Sequence, residues 1–316
     1  MPARLTQDVE RNHNLVELGP KGTGKSHIYS EFSPHGMLVS GGEVTLAKLF
    51  VNNATRRIGL VGYWDVVAFD EFAGHKRVER SLVDTLKNSL ATRSFSRGDS
   101  TITAEASMVF VGNTTRTVPA MLATADLFEA LPEAYHDTAY MDRIHYYLPG
   151  WEVDIVRPEL FSRGYGLIVD YLAEALRHLR TLDYSGDLDT LATLDPAMSK
   201  RDQDAVRKTF SGLAKLIFPA RDGKPEELEE LLRFAIEGRK RVKDQIIRLD
   251  DTMAASGSHF TYMLGRVDQD LYDASSARSV PTQEELDYPQ YFTSHSDADD
   301  RGTGPWDAGE LTGGLP

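Results

Sequence analysis

Apolar residues along this chain fall into two regimes. Up to about residue 150 they come in short runs, at 15–18, 37–39, 58–62, 66–69, 107–111 and 144–148. Each run has strand length and is bounded by glycine or a polar turn. Helical spacing fills the gaps at 25–32, 44–51 and 78–90, the last with Leu82, Val83, Leu86 and Leu90 on one face. Strands alternating with helices predict a largely parallel sheet covered on both faces, a three-layer α/β/α domain. After Pro149-Gly150 the pattern changes. Stretches 165–179, 203–218 and 226–249 are long, charged and helix-periodic, with no strong strand candidate among them. The expected organisation is an N-terminal arm (1–13), an α/β domain (14–150), an all-α domain (151–250) and a tail (251–316).

Charge sharpens this division. Of the net −13, residues 251–316 carry −9, from twelve Asp/Glu and three Arg, which leaves −4 on the body. With its Asp297–Gly304 and Thr312–Gly314 clusters, the acidic tail is expected to be flexible and solvated. No global basic footprint for nucleic acid is present, although a local basic channel inside an oligomer would not show in such a sum. The absence of cysteine excludes disulfides and Cys-ligated metal sites. No apolar run reaches membrane-spanning length, and the opening residues lack the apolar segment of a secretory signal. The expectation is a cytoplasmic protein without a membrane partner.

The first chemistry-bearing motif is Gly19-Pro20-Lys21-Gly22-Thr23-Gly24-Lys25-Ser26, which fits the P-loop pattern G-x-x-x-x-G-K-[ST] at every position. Glycines there let consecutive backbone N–H groups turn inward around phosphates, and the following helix presents its positive end. Lys25 is expected to reach the β- and γ-phosphates of ATP, and the Ser26 hydroxyl to ligate Mg2+. Forty-five residues after Lys25, the strand at 66–69 ends in Asp70-Glu71. Asp70 is expected to hold magnesium through water and Glu71 to polarise the attacking water. The apolar run ending in Gly112-Asn113 offers Asn113 to orient that water; a plain Asn turn is the alternative.

With these pieces assembled, the chain resembles the Lon-like AAA+ family of bacterial BREX phage-defence systems (BrxL). The resemblance is carried by ELGPKGTGKSHIYSEFSPHGMLVSGG, RRIGLVGYWDVVAFDEFAG, ASMVFVGN, YMDRIHYYLPGWE, AVRKTFSGLAKLIFP and EGRKRVK, roughly residues 14–249. It implies a P-loop AAA+ domain followed by an all-α lid. It also implies an ATP-hydrolysing homo-oligomeric ring, expected to be hexameric, that engages double-stranded DNA in defence alongside other BREX proteins. In AAA+ proteins an arginine placed like Arg143 reaches a neighbour's nucleotide, and one placed like Arg207 on the lid senses the γ-phosphate in cis. Either arginine can instead simply pair with surface carboxylates.

In helicase-like AAA+ rings a hairpin near 93–99 projects into the pore, which makes Arg93, Phe95 and Arg97 candidate DNA contacts; an exposed polar turn is the bland alternative. The runs 58–62 and 66–69 are candidates for a hairpin inserted before the acidic strand. Family members carry a substantial region before the P-loop and a C-terminal Lon-like domain. Here eighteen residues precede Gly19 and some sixty follow the ATPase, so the expectation is a truncated or split gene product with no Ser–Lys protease dyad. Two other functions stay open: an ATPase module that remodels protein for a Lon-type protease, and an inactive ATP-binding scaffold. The nine histidines are scattered, and His75, His136 and His145 read as surface or packing residues. The basic run Arg239-Lys240-Arg241, beside Glu237 and Asp244, reads as a solvated face, with an intersubunit or DNA contact as the alternative.

Overall fold

Five of the strand-length runs become one parallel sheet. The computed structural model describes residues 2–40, 45–52, 55, 57–70, 80–97, 100–114, 120, 126–256 and 260–265. Its strands are β1 (Leu15–Gly19), β2 (Gly36–Val39), β3 (Val51–Asn52), β4 (Arg57–Ile58), β5 (Val66–Phe69), β6 (Ser94–Arg97), β7 (Ser100–Thr103), β8 (Ser107–Asn113), β9 (Tyr146–Pro149), β10 (Ala192–Leu194) and β11 (Tyr262–Leu264). The helices are α1 (Thr6–Val9), α2 (Lys25–Glu31), α3 (Leu46–Leu49), α4 (Leu60–Tyr63), α5 (Arg80–Thr92), α6 (Thr138–Met141), α7 (Val169–Leu179), α8 (Ser185–Leu191), α9 (Lys200–Ile217) and α10 (Pro225–Leu249).

The main sheet runs β2-β5-β8-β1-β9, every pair parallel. Parallel pairing buries both faces, and the near-continuous apolar runs meet that demand. Val16, Leu18, Val67, Phe69, Met108 and Phe110 face a core shared with Val83 and Leu86 of α5 and Val242 and Ile246 of α10. Leu15, Val66, Ala68, Val109, Val111 and Leu148 face a second core closed by Ala3 and Tyr29. The period-2 alternation of strand side chains divides the two sets.

The run at 58–62 is corrected by the structure. Only Arg57–Ile58 is extended, and it pairs antiparallel with β3, not with β5; 60–63 is a helical turn. The all-α expectation for 151–250 also needs amendment, because β10 pairs antiparallel with β11 at the start of the acidic tail. Helix α7 begins at Val169 rather than 165; Gly164 and Gly166 flank Tyr165, and glycine holds a helix poorly. Helix α9 is capped by Ser199, whose hydroxyl accepts from Asp202 N, and α10 opens on Pro225 at a position suited to its missing N–H. Helices α8, α9 and α10 share a core of Leu188, Val206, Phe210, Leu232 and Ala235.

The N-terminal arm is not loose. Ala3, Arg4, Thr6, Gln7 and Val9 are buried, and Lys215 of α9 donates to Val9 O at 2.9 Å. At the far end of α7, Arg180 gathers four backbone carbonyls: Gln7, Glu10 at 2.5 Å, Asp65 at 2.8 Å and Glu105 at 2.8 Å. Among the described residues no helix is long and apolar enough to cross a membrane. The greater part of the acidic tail, from 266 onward, lies outside the described residues.

Candidate nucleotide site

The phosphate loop leaves β1 at Gly19 and enters α2 at Lys25. Gly22 and Gly24 take φ of +85° and +73°, a left-handed conformation that glycine adopts without the Cβ penalty. Gly19 is required for a different reason. A Cβ there would stand 2.5 Å from Gly150 Cα, where the ends of β1 and β9 come together. Thr23 is buried between the two left-handed glycines. The Lys25 ammonium lies within the loop, donating to Pro20 O at 2.6 Å and Gly19 O at 3.3 Å. Burial lowers its pKa, while Glu17 and Asp70 pull the other way. Asp70 is therefore close enough to Lys25 to act on its charge.

Sheet order explains that proximity. β8 lies between β1 and β5, and all three strands end at the same edge. Asn113, the last residue of β8, is in register with Gly19, and Thr114 N donates to Gly19 O at 3.2 Å. Asp70 follows β5 at that edge, its amide donating to Val39 O at 2.8 Å. Glu71 is the next residue and lies outside the described residues. Ser26, in the first turn of α2, and Asp70 offer a hydroxyl and a carboxylate, the hard oxygen donors magnesium takes. No cluster of three or more metal-binding side chains occurs among the described residues.

The two arginines lie elsewhere. Arg143 sits between α6 and β9, and its carbonyl accepts from Asn14 Nδ2 at 3.1 Å. Asn14 precedes β1, so Arg143 is at the opposite end of the strand from the phosphate loop. Five strand residues span about 17 Å. Its guanidinium donates to Ala139 O at 2.9 Å, and its Nε is buried without a hydrogen-bond partner among the described residues. Arg207 of α9 pairs with Asp189 of α8 at 2.6 Å. The neighbouring Lys208 donates to Arg11 O and Asn12 O, again ahead of β1. The structure thus brings Lys25, Ser26, Asp70 and Asn113 to one edge and leaves Arg143 and Arg207 away from it.

The matching family, described as the ATPase domain of Lon-like protease BrxL-like proteins, covers residues 1–258. The chain belongs to that family. It is 51% identical over 247 residues to the Lon-like protease BrxL of Bacillus cereus (strain H3081.97). It is 48% identical over 246 residues to the Lon-like protease BrxL of Escherichia coli O9:H4 (strain HS). Both matches take in 78% of this chain but only 36% and 35% of the relative, so the chain spans about a third of the length of the curated relatives it matches. As a member of the BrxL-like ATPase-domain family, it carries a nucleotide-binding ATPase fold.

Within this BrxL-like domain, β6 and β7 form an antiparallel hairpin pairing Phe95 with Ile102 and Arg97 with Ser100. The side chains of Phe95 and Arg97 lie outside what is described. Arg93, at φ +54°, makes the turn from α5 into the hairpin. It lines a cavity of about 150 Å³ together with Arg143, Arg201, Lys208, Asp142 and His145. Burial, with repulsion from Arg93, pulls the Lys208 pKa down to about 7.

Sequence reasoning misjudged the run at 239–241. Arg239 is fully buried, not solvated. It donates to Asp202 Oδ1 at 2.7 Å, to Asp142 Oδ1 at 2.8 Å and to Ile144 O. Arg201 meets the same Asp142 at 2.5 Å. This network fixes the turn that carries Arg143. Its only signal in the chain was three basic residues on a helix whose apolar face is broken by one of them. Two acids were missed as well: Glu17, buried in mid-strand beneath the loop, and Asp202, at 0% exposure.

Proposed function

We propose that this domain binds ATP with Mg2+ at the phosphate loop and hydrolyses it within a ring of identical chains acting on double-stranded DNA. The observation that carries the reading is the convergence of Lys25, Asp70 and Asn113 at one sheet edge. Backbone amides of 21–26 and the Lys25 ammonium hold the phosphates. Ser26 and Asp70 would hold a magnesium ion, which would supply positive charge against the phosphate oxygens. Glu71 accepts the proton of the attacking water, and Asn113 orients that water. Arg143, on the opposite edge, faces the nucleotide of the next protomer and stabilises charge developing on its γ-phosphate. Supplied in trans, such a guanidinium is worth ~10³–10⁵ in rate. Arg207, paired with Asp189, is not assigned the cis-sensing role in this arrangement. The β6–β7 hairpin, with Arg93, Phe95 and Arg97, is the DNA-facing element.

Steady-state ATPase assays test this reading. Lys25→Ala should abolish nucleotide binding, and Glu71→Gln should bind ATP without turnover. Arg143→Ala should bind ATP but turn over slowly, and mixing it with Glu71→Gln should restore activity at mixed interfaces. Specific activity should rise with protein concentration and then plateau. Concentration-independent activity, or a mixture no more active than its components, refutes the trans arrangement. Replacing Arg93 and Arg97 by Ala should weaken DNA binding and flatten its salt dependence; an unchanged salt slope removes the hairpin from the DNA path.

A further inference from the structure

The phosphate loop has a support that neither its motif nor its magnesium ligands explain. Arg4, in the turn Pro2–Leu5, is 2% exposed and reaches under the loop. Its Nη1 donates to Thr23 O at 2.7 Å, and its Nη2 approaches Thr23 Oγ1 at 3.4 Å. Its Nε donates to Glu17 Oε2 at 3.0 Å, and Nη2 also donates to Glu17 Oε1. Glu17 is fully buried in the centre of β1. One guanidinium therefore binds a carboxylate on two sides and still grips a loop carbonyl, a geometry open to arginine's planar fork and closed to a single ammonium. The loop needs such a grip. Thr23 stands between Gly22 and Gly24, both left-handed, and glycine is the residue that loses most freedom on ordering. The hydroxyl of the same Thr23 lies 3.5 Å from Lys25 Nζ.

We propose that Arg4 is a positioning residue for nucleotide binding: docked by the N-terminal arm against Glu17, it pre-orders the phosphate loop through Thr23. The inference rests on the phosphate-loop reading above. It ties nucleotide affinity to the seating of the arm on α9, where Lys215 holds Val9 O. A purely structural ion pair makes a different prediction. Replacing both members of a buried pair by apolar residues of similar size is often neutral for stability, and a structural pair would then leave affinity alone too.

The test uses the full chain, with MgATP and MgADP as probes in calorimetric titration, and thermal unfolding beside it. Arg4→Met/Glu17→Met should melt near the parent yet bind both nucleotides about tenfold more weakly, the factor that one lost ordering hydrogen bond corresponds to. Arg4→Lys keeps a charge opposite Glu17 but cannot span to Thr23; it should restore stability without restoring affinity. Leu188→Ala, a cavity in the core of the helical part, gives a loss of stability remote from the loop and should leave affinity within twofold. If the double variant does not fold, Arg4→Lys against Leu188→Ala decides. Parental affinity in the Arg4 variants overturns the inference alone, as does an affinity loss that merely tracks stability in all three. A parent that binds no nucleotide overturns the phosphate-loop reading with it.

Discussion

Acid should cost this domain stability at His13, in the window between about pH 6.5 and 3. His13 is fully buried between the arm and α9. Its Nε2 is 2.9 Å from Thr209 Oγ1, its Nδ1 is 3.2 Å from Gln7 Nε2, and its ring stacks on His145 at 5.5 Å. Burial, with Lys208 and Arg180 repelling a proton, pulls its pKa down to about 3. An unfolded histidine titrates near 6.5. Between about pH 6.5 and 3 the unfolded chain therefore binds a proton that the folded chain refuses, so stability is complete above 6.5 and falls with pH. At pH 5.5 the loss is about 1 kcal/mol, and at pH 4.5 about 3 kcal/mol, from this one ring. For a domain of this size that is a drop of about 2–4 °C in Tm at pH 5.5. Asp8 works in the opposite direction, since desolvation pushes its carboxyl up to about 7 and favours the folded state as pH falls. The informative quantity is accordingly the difference between parent and His13→Gln, measured by thermal melts at pH 7.5 and 5.5. The neutral variant should lose about 1 kcal/mol less than the parent over that interval. Equal pH slopes in the two proteins would refute the reasoning.

Three further outcomes follow from packing and charge. Gly238→Ala places a Cβ 2.0 Å from Tyr146 Cε2, and that ring is buried and stacked on Phe234; urea denaturation should show a loss of about 3 kcal/mol or more. Arg239→Met removes the buried guanidinium between Asp142 and Asp202 and leaves them Arg201 and Lys243 as cationic partners, a cost of about 3 kcal/mol in the same assay. Lys200→Ala, by contrast, removes an exposed pair with Asp204 and should change stability by less than about 1 kcal/mol.

Much of the nucleotide edge was legible in the chain because its determinants are local. The phosphate loop is a run of eight residues, and a buried parallel strand ending in a polar residue declares itself at Asp70 and at Asn113. The sheet strands read well for the same reason, since parallel strands buried on both faces are uninterrupted apolar runs. Pairings remote in sequence were not legible. β10 is three residues long and finds its partner some seventy residues on, a distance at which no periodicity can speak. The run at 58–62 has strand composition, but Gly59 and Gly62 let the chain turn into a helical loop instead. Arg239 looked solvated because a helix with charges at 237, 239, 240 and 241 resembles an exposed face. Only the carboxylates of Asp142 and Asp202, brought from other elements, make its burial tolerable. Glu17 and Arg4 were hidden likewise, each being an anomaly until the other is placed beside it.

The guanidinium of Arg180 bears on how this domain comes apart. Three segments give it four carbonyls, Gln7 and Glu10 from the arm, Asp65 and Glu105 from the approaches to β5 and β8, and it is 5% exposed. Water cannot replace these bonds one at a time, because no single segment can peel away while the remaining two keep the site dry. Fraying from the N-terminus is thereby turned into a collective opening of the arm, the helix α7 and the starts of two central strands. Amides of the arm should exchange with solvent at the slow rate of that collective opening, not at the fast rate usual for the first residues of a chain.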